Sequence, residues 1–266
     1  MISVLIPSYK NPKYLDLCLK SILETQKNNN EIIVVIDGFV ELSRHIIDKY
    51  KDKVSFLEFD ENMGFSYALN YGVYNLSGEY FVVVNEDNVF SDEWDVILEK
   101  YIQNWKNTND YILSINQIEP IGPSIYNFTI KDFGKTIEEF KFNEFKQFES
   151  SIRKLDIAQD GSLFPFMMSK KNYMKIGGFD VAYPSAFVVD WDFFLKAELS
   201  NFNLIKTYAL SFYHFGSKST KKRDDNFGNA ADFYEGENRA AEYFEYKWGF
   251  KPKRDKNNKC KQFINF

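Results

Sequence analysis

Gly78-Glu79-Tyr80-Phe81-Val82-Val83-Val84-Asn85-Glu86-Asp87-Asn88 is the stretch on which the fold turns. Five bulky β-formers run from Tyr80 to Val84 with no polar residue between them, the pattern of a strand buried on both faces in a parallel sheet. The strand stops in a polar cluster with two adjacent carboxylates. Open α/β sheets bind ligands just beyond the carboxyl ends of their strands, so the cluster lies where a site is expected. Oxygen donors from Asn, Glu and Asp suit Mg²⁺ or Mn²⁺, and such cations bridge to phosphate oxygens. The same residues also make an ordinary polar turn in which Asn or Asp caps the next helix. The stretch alone leaves both readings open.

Outward from it, the same rhythm repeats. Ile2-Ser3-Val4-Leu5-Ile6 reads as a first strand ended by Pro7-Ser8-Tyr9, and Asn11-Pro12 as an N-cap with proline at the first helical position. Leu15, Cys18, Leu19, Ile22 and Leu23 recur at helical spacing. Glu31 to Ile36 is a second buried strand that ends in Asp37-Gly38. A helix around residues 41–51, a strand from Val54 to Phe59 and a helix around 64–76 lead into the central strand. Beyond it, Ser91 is read as the cap of a helix with Asp92 and Glu93 in its first turn, and Tyr111 to Ile115 as a further strand. Alternating strands and helices require crossover connections, hence an α/β fold with a mostly parallel sheet flanked by helices. The polar ends Ser8-Tyr9, Asp37-Gly38 and Asn85-Glu86-Asp87 then gather on one edge, as in a nucleotide pocket. Neither G-x-G-x-x-G after the first strand nor a P-loop is present, which argues against a Rossmann dehydrogenase or a P-loop NTPase.

Residues 116–160 break the rhythm. Pro120, Gly122 and Pro123 mark a loop, and Phe133, Phe140, Phe142, Phe145 and Phe148 recur in a charged background. They suit an aromatic acceptor surface or, the reading adopted, a small helical and loop insert packing its own phenylalanines. Order resumes with Leu163 to Met168, a short helix from Lys171 to Ile176 ended by Gly177-Gly178, and Val188-Val189-Asp190-Trp191-Asp192 leading to Ala197. A strand near 203–208 continues to Ser211-Phe212-Tyr213-His214, and a last helix covers about 229–247. With no internal repeat or linker, one domain is expected over residues 1–266: a nucleotide-binding half to 115, the insert, and a catalytic half with a basic tail. That tail reads first as a solvated end and second as a contact for an anionic membrane or acceptor.

A chain of 266 residues with 44% hydrophobic and 27% charged residues is an ordinary globular composition, although aromatics at 18% are abundant. The net charge of −5 speaks against a nucleic-acid binder. Cys18 and Cys260 lie far apart, fit reduced thiols and give no metal spacing. Met1 leads straight into a strand, with neither a signal-peptide pattern nor an apolar run of bilayer length, so a cytoplasmic protein is expected.

The ordered set Ser3 to Tyr9, Glu31 to Gly38, Asn62-Met63-Gly64, Gly78 to Asp87, Gly177-Gly178-Phe179-Asp180, Asp190-Trp191-Asp192 and His214 resembles a family-two glycosyltransferase of the GT-A fold, soluble and non-processive. The resemblance implies a nucleotide-sugar donor, a glycan or other hydroxyl acceptor, and Mn²⁺ or Mg²⁺. It assigns nucleotide contacts to Pro7, Ser8, Tyr9, Asp37, Asn62 and Gly64. The family's D-x-D falls on Asn85-Glu86-Asp87, making Asp87 the metal ligand with Asn85 or Glu86 as supporting oxygen donors. A histidine at the place of His214 closes the metal site in similar enzymes. The family's E-D pair falls on Val189-Asp190, so Asp190 is implied as the base that deprotonates the acceptor. Residues two apart do not share a helix face, which separates Asp192 from Asp190 and leaves Asp192 either a catalytic part or a structural hydrogen bond. Trp191 reads as core before sugar platform, and His45 as structural. Lys218, Lys221, Lys222 and Arg223 read as a solvated run or as cations over the diphosphate.

Two other functions stand beside this one. A sugar nucleotidyltransferase needs a glycine-rich basic loop after the first strand, and Pro7-Ser8-Tyr9-Lys10-Asn11-Pro12 is not one. A non-catalytic sugar-nucleotide or glycan-binding protein fits the single aspartate at Ile36-Asp37 and the valine before Asp190.

Overall fold

The computed structural model describes residues 1–105, 110–121, 129–161, 164–216 and 230–252. Its amino half alternates β1 (Ile2–Ser8), α1 (Pro12–Thr25), β2 (Glu31–Asp37), α2 (Val40–Tyr50), β3 (Ser55–Phe59), α3 (Phe65–Asn75) and β4 (Tyr80–Val83). A short β5 (Asn88–Val89), α4 (Trp94–Trp105), β6 (Tyr111–Glu119) and β7 (Thr129–Ile130) come after it. The remainder is α5 (Phe142–Ile152), β8 (Lys154–Asp160), β9 (Phe166–Ser169), α6 (Lys170–Ile176), α7 (Val189–Leu199), β10 (Asn203–His214) and α8 (Ala230–Trp248).

All the strands join one sheet in the order β3-β2-β1-β4-β9-β6-β10-β5, with β7 beside β6 and β8 beside β10. From β3 to β4 every pairing is parallel, as the alternation required. β9 then inserts antiparallel between β4 and β6, with Val83 opposite Phe166. Successive side chains of the central strands go to opposite faces. Val4, Ile6, Val34, Val82 and Val84 pack with Leu15, Ile46 and Trp94 of α1, α2 and α4. Leu5, Ile33, Val35, Phe81 and Val83 pack with Leu69 of α3, Tyr173 of α6 and Phe193 of α7. Pro7 is tolerated in β1 because the β4 ladder runs only as far as Leu5 opposite Val83, so no pairing on that side calls for its missing N–H.

The stretch expected to form a self-contained insert is woven into the sheet. β6 runs on to Glu119, and β8 pairs with β10. Phe133 and Phe145 are buried against Tyr213 and Phe215 at the end of β10, with Phe140, Phe142 and Phe148 packed around them. They cover the sheet instead of packing only on one another. α4 begins at Trp94, not after Ser91, and its first-turn acid is Asp95. Asp95 is fully buried and accepts from the backbone N–H groups of Lys27 and Asn28 and from the Asn30 amide. Asn11 precedes α1 without a side-chain cap bond. The strand read from 203 through to His214 is a single one, β10, with a register shift between Thr207 and Ser211.

α6 does start on a formed cap: the Ser169 hydroxyl accepts from the Asn172 N–H at 3.1 Å. Ser169→Ala should therefore lower stability by about 0.5–2 kcal/mol in urea unfolding; an unchanged midpoint would mean that the cap contributes nothing. No helix among the described residues is long and apolar enough to cross a membrane.

Candidate active site

The carboxyl ends of β1, β2 and β4 lie together, and the chain leaving β4 is shaped by its return to the sheet. β5 pairs antiparallel with the end of β10, putting Asn88 opposite His214. The Phe215 N–H donates to the Asp87 carbonyl at 3.2 Å. His214 is thereby set against Asp87, its Nε2 3.3 Å from the Asp87 Oδ1. Its Nδ1 is 2.7 Å from Glu119 Oε1, because Ile118 is paired with Tyr213 in the parallel β6–β10 register. A line of carboxylate, imidazole and carboxylate results, and its members are nearly enclosed: Asp87 is 2% and His214 7% exposed. Burial works against a charged ring here. Attraction to Asp87, the hydrogen bonds to both carboxylates and the Glu119 charge outweigh it and push the imidazole up to about 10.

Glu86 turns the other way. Its carboxylate accepts from the Ser8 hydroxyl and, at 3.4 Å, from the Tyr9 N–H, and it is 2% exposed. This bond ties Ser8 and Glu86, expected as a nucleotide contact and a supporting oxygen donor, to each other and fastens the end of β1 to the motif. Asn85 is partly exposed, and its carbonyl accepts from the Asn88 N–H and side-chain amide.

Asp37 is buried at the end of β2 and gathers the loop before α3. It accepts from the Met63 N–H at 2.6 Å, the Gly64 N–H at 3.1 Å and the Asn62 amide at 3.2 Å. Burial raises its pKa, and the Met63 and Gly64 N–H groups only partly oppose this. The turn beside it needs glycine. Gly38 has φ +79°, and a Cβ there would meet the Asn62 nitrogen at 2.8 Å. Asp37, Asn62 and Gly64 are thus brought together. Next to them Tyr9 and the half-exposed Phe39 meet edge to face at 5.9 Å, with the Lys10 ammonium 3.8 Å from the Phe39 ring centre. Neither Phe39 nor Lys10 belongs to a periodic pattern that would have singled it out.

Asp190 lies in the first turn of α7 and is partly exposed. Phe193 and Phe194, three and four residues on, share its side of the helix. Both rings lie 5.5 Å from that of Phe166, opposite Val83, so α7 rests on the sheet close to where β4 runs into Asn85-Glu86-Asp87. Asp192 does not join Asp190. It is fully buried, and its Oδ1 accepts from Tyr183, Trp248 and Lys247 at 3.1, 2.8 and 2.7 Å. The catalytic alternative for Asp192 gives way to the structural one, since no acceptor can reach an enclosed carboxylate. Trp191 is half-buried against the same core as α7, as a core tryptophan should be.

Glu119 escapes a reading that ends the strand at Ile115 and leaves the acid in the supposed insert. No local signal marks it, because only the β6–β10 register sets it beside His214. Lys218, Lys221, Lys222, Arg223, Cys260 and most of the basic tail lie outside the described residues, as does nearly all of the loop from Gly216 to Gly228.

Comparison with known proteins agrees with this architecture. Glycosyltransferase GlyG of Streptococcus pneumoniae serotype 4 is 30% identical over 149 residues, covering 54% of this chain and 48% of that protein. An uncharacterized glycosyltransferase of Rickettsia typhi, RT0329, is 37% identical over 90 residues, covering 34% of this chain and 28% of that protein. The chain spans under half the length of these relatives. Among solved structures, S. aureus TarS 1-349 in complex with UDP-GlcNAc superposes with a TM-score of 0.57 at 17% identity, covering 94% of this chain and 73% of that one. That likeness is one of fold. The model of Glycosyl transferase family 2 matches residues 3–177, and with well over half of its length matched the chain belongs to that family.

Proposed function

We propose that the protein moves one sugar from a nucleotide-diphosphate sugar to an acceptor hydroxyl with inversion at the anomeric carbon, and with the help of a divalent cation. The observation that supports this best is the Asp87–His214 pair with Glu119 behind it, set at the carboxyl end of β4. Solved structures of the same fold include S. aureus TarS in complex with UDP and with UDP-GlcNAc, which favours a uridine diphosphate sugar as the first donor to try.

The donor set fits Mn²⁺ or Mg²⁺. A carboxylate oxygen and an imidazole Nε2 face each other, and the second ring nitrogen is held by a carboxylate, the usual support of a metal-ligating histidine. Among the described residues no group of three or more His, Cys, Asp or Glu forms a complete cage. Asp87 and His214, whose Nε2 would give up its proton to solvent as a cation took its place, would therefore hold the cation together with oxygens of the diphosphate, as suits a site that binds metal and nucleotide jointly. When bound, the cation acts as a Lewis acid on the departing diphosphate.

The chain's own residues do the rest. Asp37 keeps the Asn62–Gly64 loop at the nucleotide edge, and Glu86 holds Ser8 and Tyr9 in place beside it. Asp190, at the positive end of α7, takes the proton of the acceptor hydroxyl as its oxygen attacks the anomeric carbon and the bond to the diphosphate breaks. The experiment that tests the function is a donor screen by thermal shift with Mn²⁺, and then turnover of whichever nucleotide-sugar stabilises the protein. Binding without turnover in any acceptor mixture would favour the non-catalytic reading.

Glu119 supplies a sharper test of the cation. Glu119→Gln keeps a hydrogen-bond partner for His214 Nδ1 but removes the charge. It should weaken Mn²⁺ binding in the presence of UDP by about 10–100-fold. UDP affinity measured without metal should not change; if it falls equally, Glu119 supports the fold and not the cation.

A further inference from the structure

We propose that α8 is a clamp on the helix that carries Asp190, with Asp192, Lys247 and Trp248 as positioning residues for that carboxylate. The inference rests on the reading of Asp190 as the base. Nothing in a Glycosyl transferase family 2 match that ends at residue 177 accounts for α8, which lies beyond it.

Four residues of α8 tie it to α7 and to the chain leading into it. The Lys247 ammonium sits between two carboxylates, 2.7 Å from Asp192 Oδ1 and 2.6 Å from Asp180 Oδ2. The Trp248 indole N–H donates to the same Asp192 oxygen at 2.8 Å, and Tyr243 donates to Asp180 at 3.3 Å. Further back, the Ser185 hydroxyl donates to the Gly236 carbonyl at 3.0 Å. Lys196 adds a fourth charge, 3.7 Å from Asp192 Oδ2, and donates to the Gly178 carbonyl. Two acids and two lysines balance in charge. A buried group of this kind contributes little net stability over an apolar replacement, but it fixes where the partners sit.

What has to be fixed is visible one residue before α7. Val188 has φ 53° and ψ 4°, in the left-handed region where a β-branched residue is a true outlier. Such a conformation persists only where the surroundings over-determine it. It aims the first turn of α7, and so Asp190 two residues on. The anchoring carboxylate is Asp192, on the far side of the same turn. α7 is therefore gripped from behind by α8 while its first turn presents Asp190 at the front.

The test uses Lys247→Met, Lys247→Arg and Trp248→Phe in the full chain, with Asp190→Asn in parallel. UDP-GlcNAc with Mn²⁺ is the probe, and its hydrolysis is monitored, water standing in for the acceptor hydroxyl. UDP affinity, thermal midpoint and the ¹⁹F spectrum of protein labelled with 5-fluorotryptophan are recorded alongside. A misplacement of the base by an ångström costs about 10²-fold, so Lys247→Met should lose up to that much turnover with UDP affinity unchanged. Its Trp191 resonance should broaden or double while those of Trp94 and Trp105 stay as they are. Lys247→Arg should restore both, and Trp248→Phe should give a smaller loss of the same kind. Wild-type turnover with an unaltered Trp191 signal in Lys247→Met would overturn the proposal. So would a loss that merely tracks thermal midpoint and UDP affinity, since α8 would then be holding the fold together and not aiming a residue. If Lys247→Met does not fold, Trp248→Phe decides by the same readouts. An Asp190→Asn protein as fast as wild type removes the base assignment instead, and the Trp191 signal still reports whether α8 holds α7.

Discussion

Asp190→Asn is expected to lower sugar transfer by about 10²–10⁴-fold, the usual contribution of a general base, with nucleotide binding nearly intact. The expectation comes from position. Asp190 stands in the first turn of α7, partly exposed, on the side of the helix that faces the sheet. The proposed nucleotide edge is built from other elements, the ends of β1 and β2 and the loop at Asn62–Gly64. Asparagine keeps the shape and can still accept a hydrogen bond, but it cannot take the acceptor proton at neutral pH. UDP titration should give the same affinity in both proteins, while turnover of the donor identified by thermal shift collapses. Transfer at more than a few per cent of wild type would remove Asp190 from that role. A parallel loss of UDP affinity would place it in the donor site.

The residues of the central strand carry the fold because their signal is local. Tyr80 to Val84 admit no amphipathic reading, and the two faces they feed are those on which the helices pack. The parallel half and its edge of polar strand ends come from alternation alone. Features that depend on pairing between distant segments are not legible in this way. Nothing near Phe166 announces that it will insert antiparallel between β4 and β6. Nor does the phenylalanine-rich stretch reveal that Phe133 and Phe145 belong to the Tyr213 face of β10. The site divides in the same way. Asp87 and His214 are legible as chemistry, and the short β5 that brings them to 3.3 Å is not. Adjacent carboxylates at 86 and 87 look equivalent in sequence. In the turn between β4 and β5 they point apart, Glu86 toward Ser8 and Asp87 toward His214. Helical spacing does separate Asp190 from Asp192, and burial explains why: the second acid is the anchor of a helix near the chain's end that sequence alone could not bring to it.

Asp87→Asn should abolish whatever stimulation Mn²⁺ gives to UDP binding. Alanine is the wrong replacement, because removing one partner of a buried ion pair costs about 3–5 kcal/mol and confounds binding with unfolding. Asparagine retains an oxygen that can accept from His214 Nε2, and Glu119 still balances the imidazolium, so the fold should survive. What it loses is the anionic oxygen that a hard cation prefers. His214→Gln removes the other facing donor. If both side chains hold one cation together, their effects on Mn²⁺-dependent UDP affinity will not add, and the double variant will be about as weak as either single one. A coupling of roughly 0.5–3 kcal/mol between touching residues is the range expected for such a pair. Calorimetric titration of UDP into wild type, both single variants and the double variant, each with Mn²⁺ and with chelator, measures it directly. Wild-type affinities that are equal with and without the metal would sink the cation altogether. Effects that add fully would instead mean that Asp87 and His214 act apart, the aspartate on the diphosphate edge and the histidine only as a strut between β5 and β10.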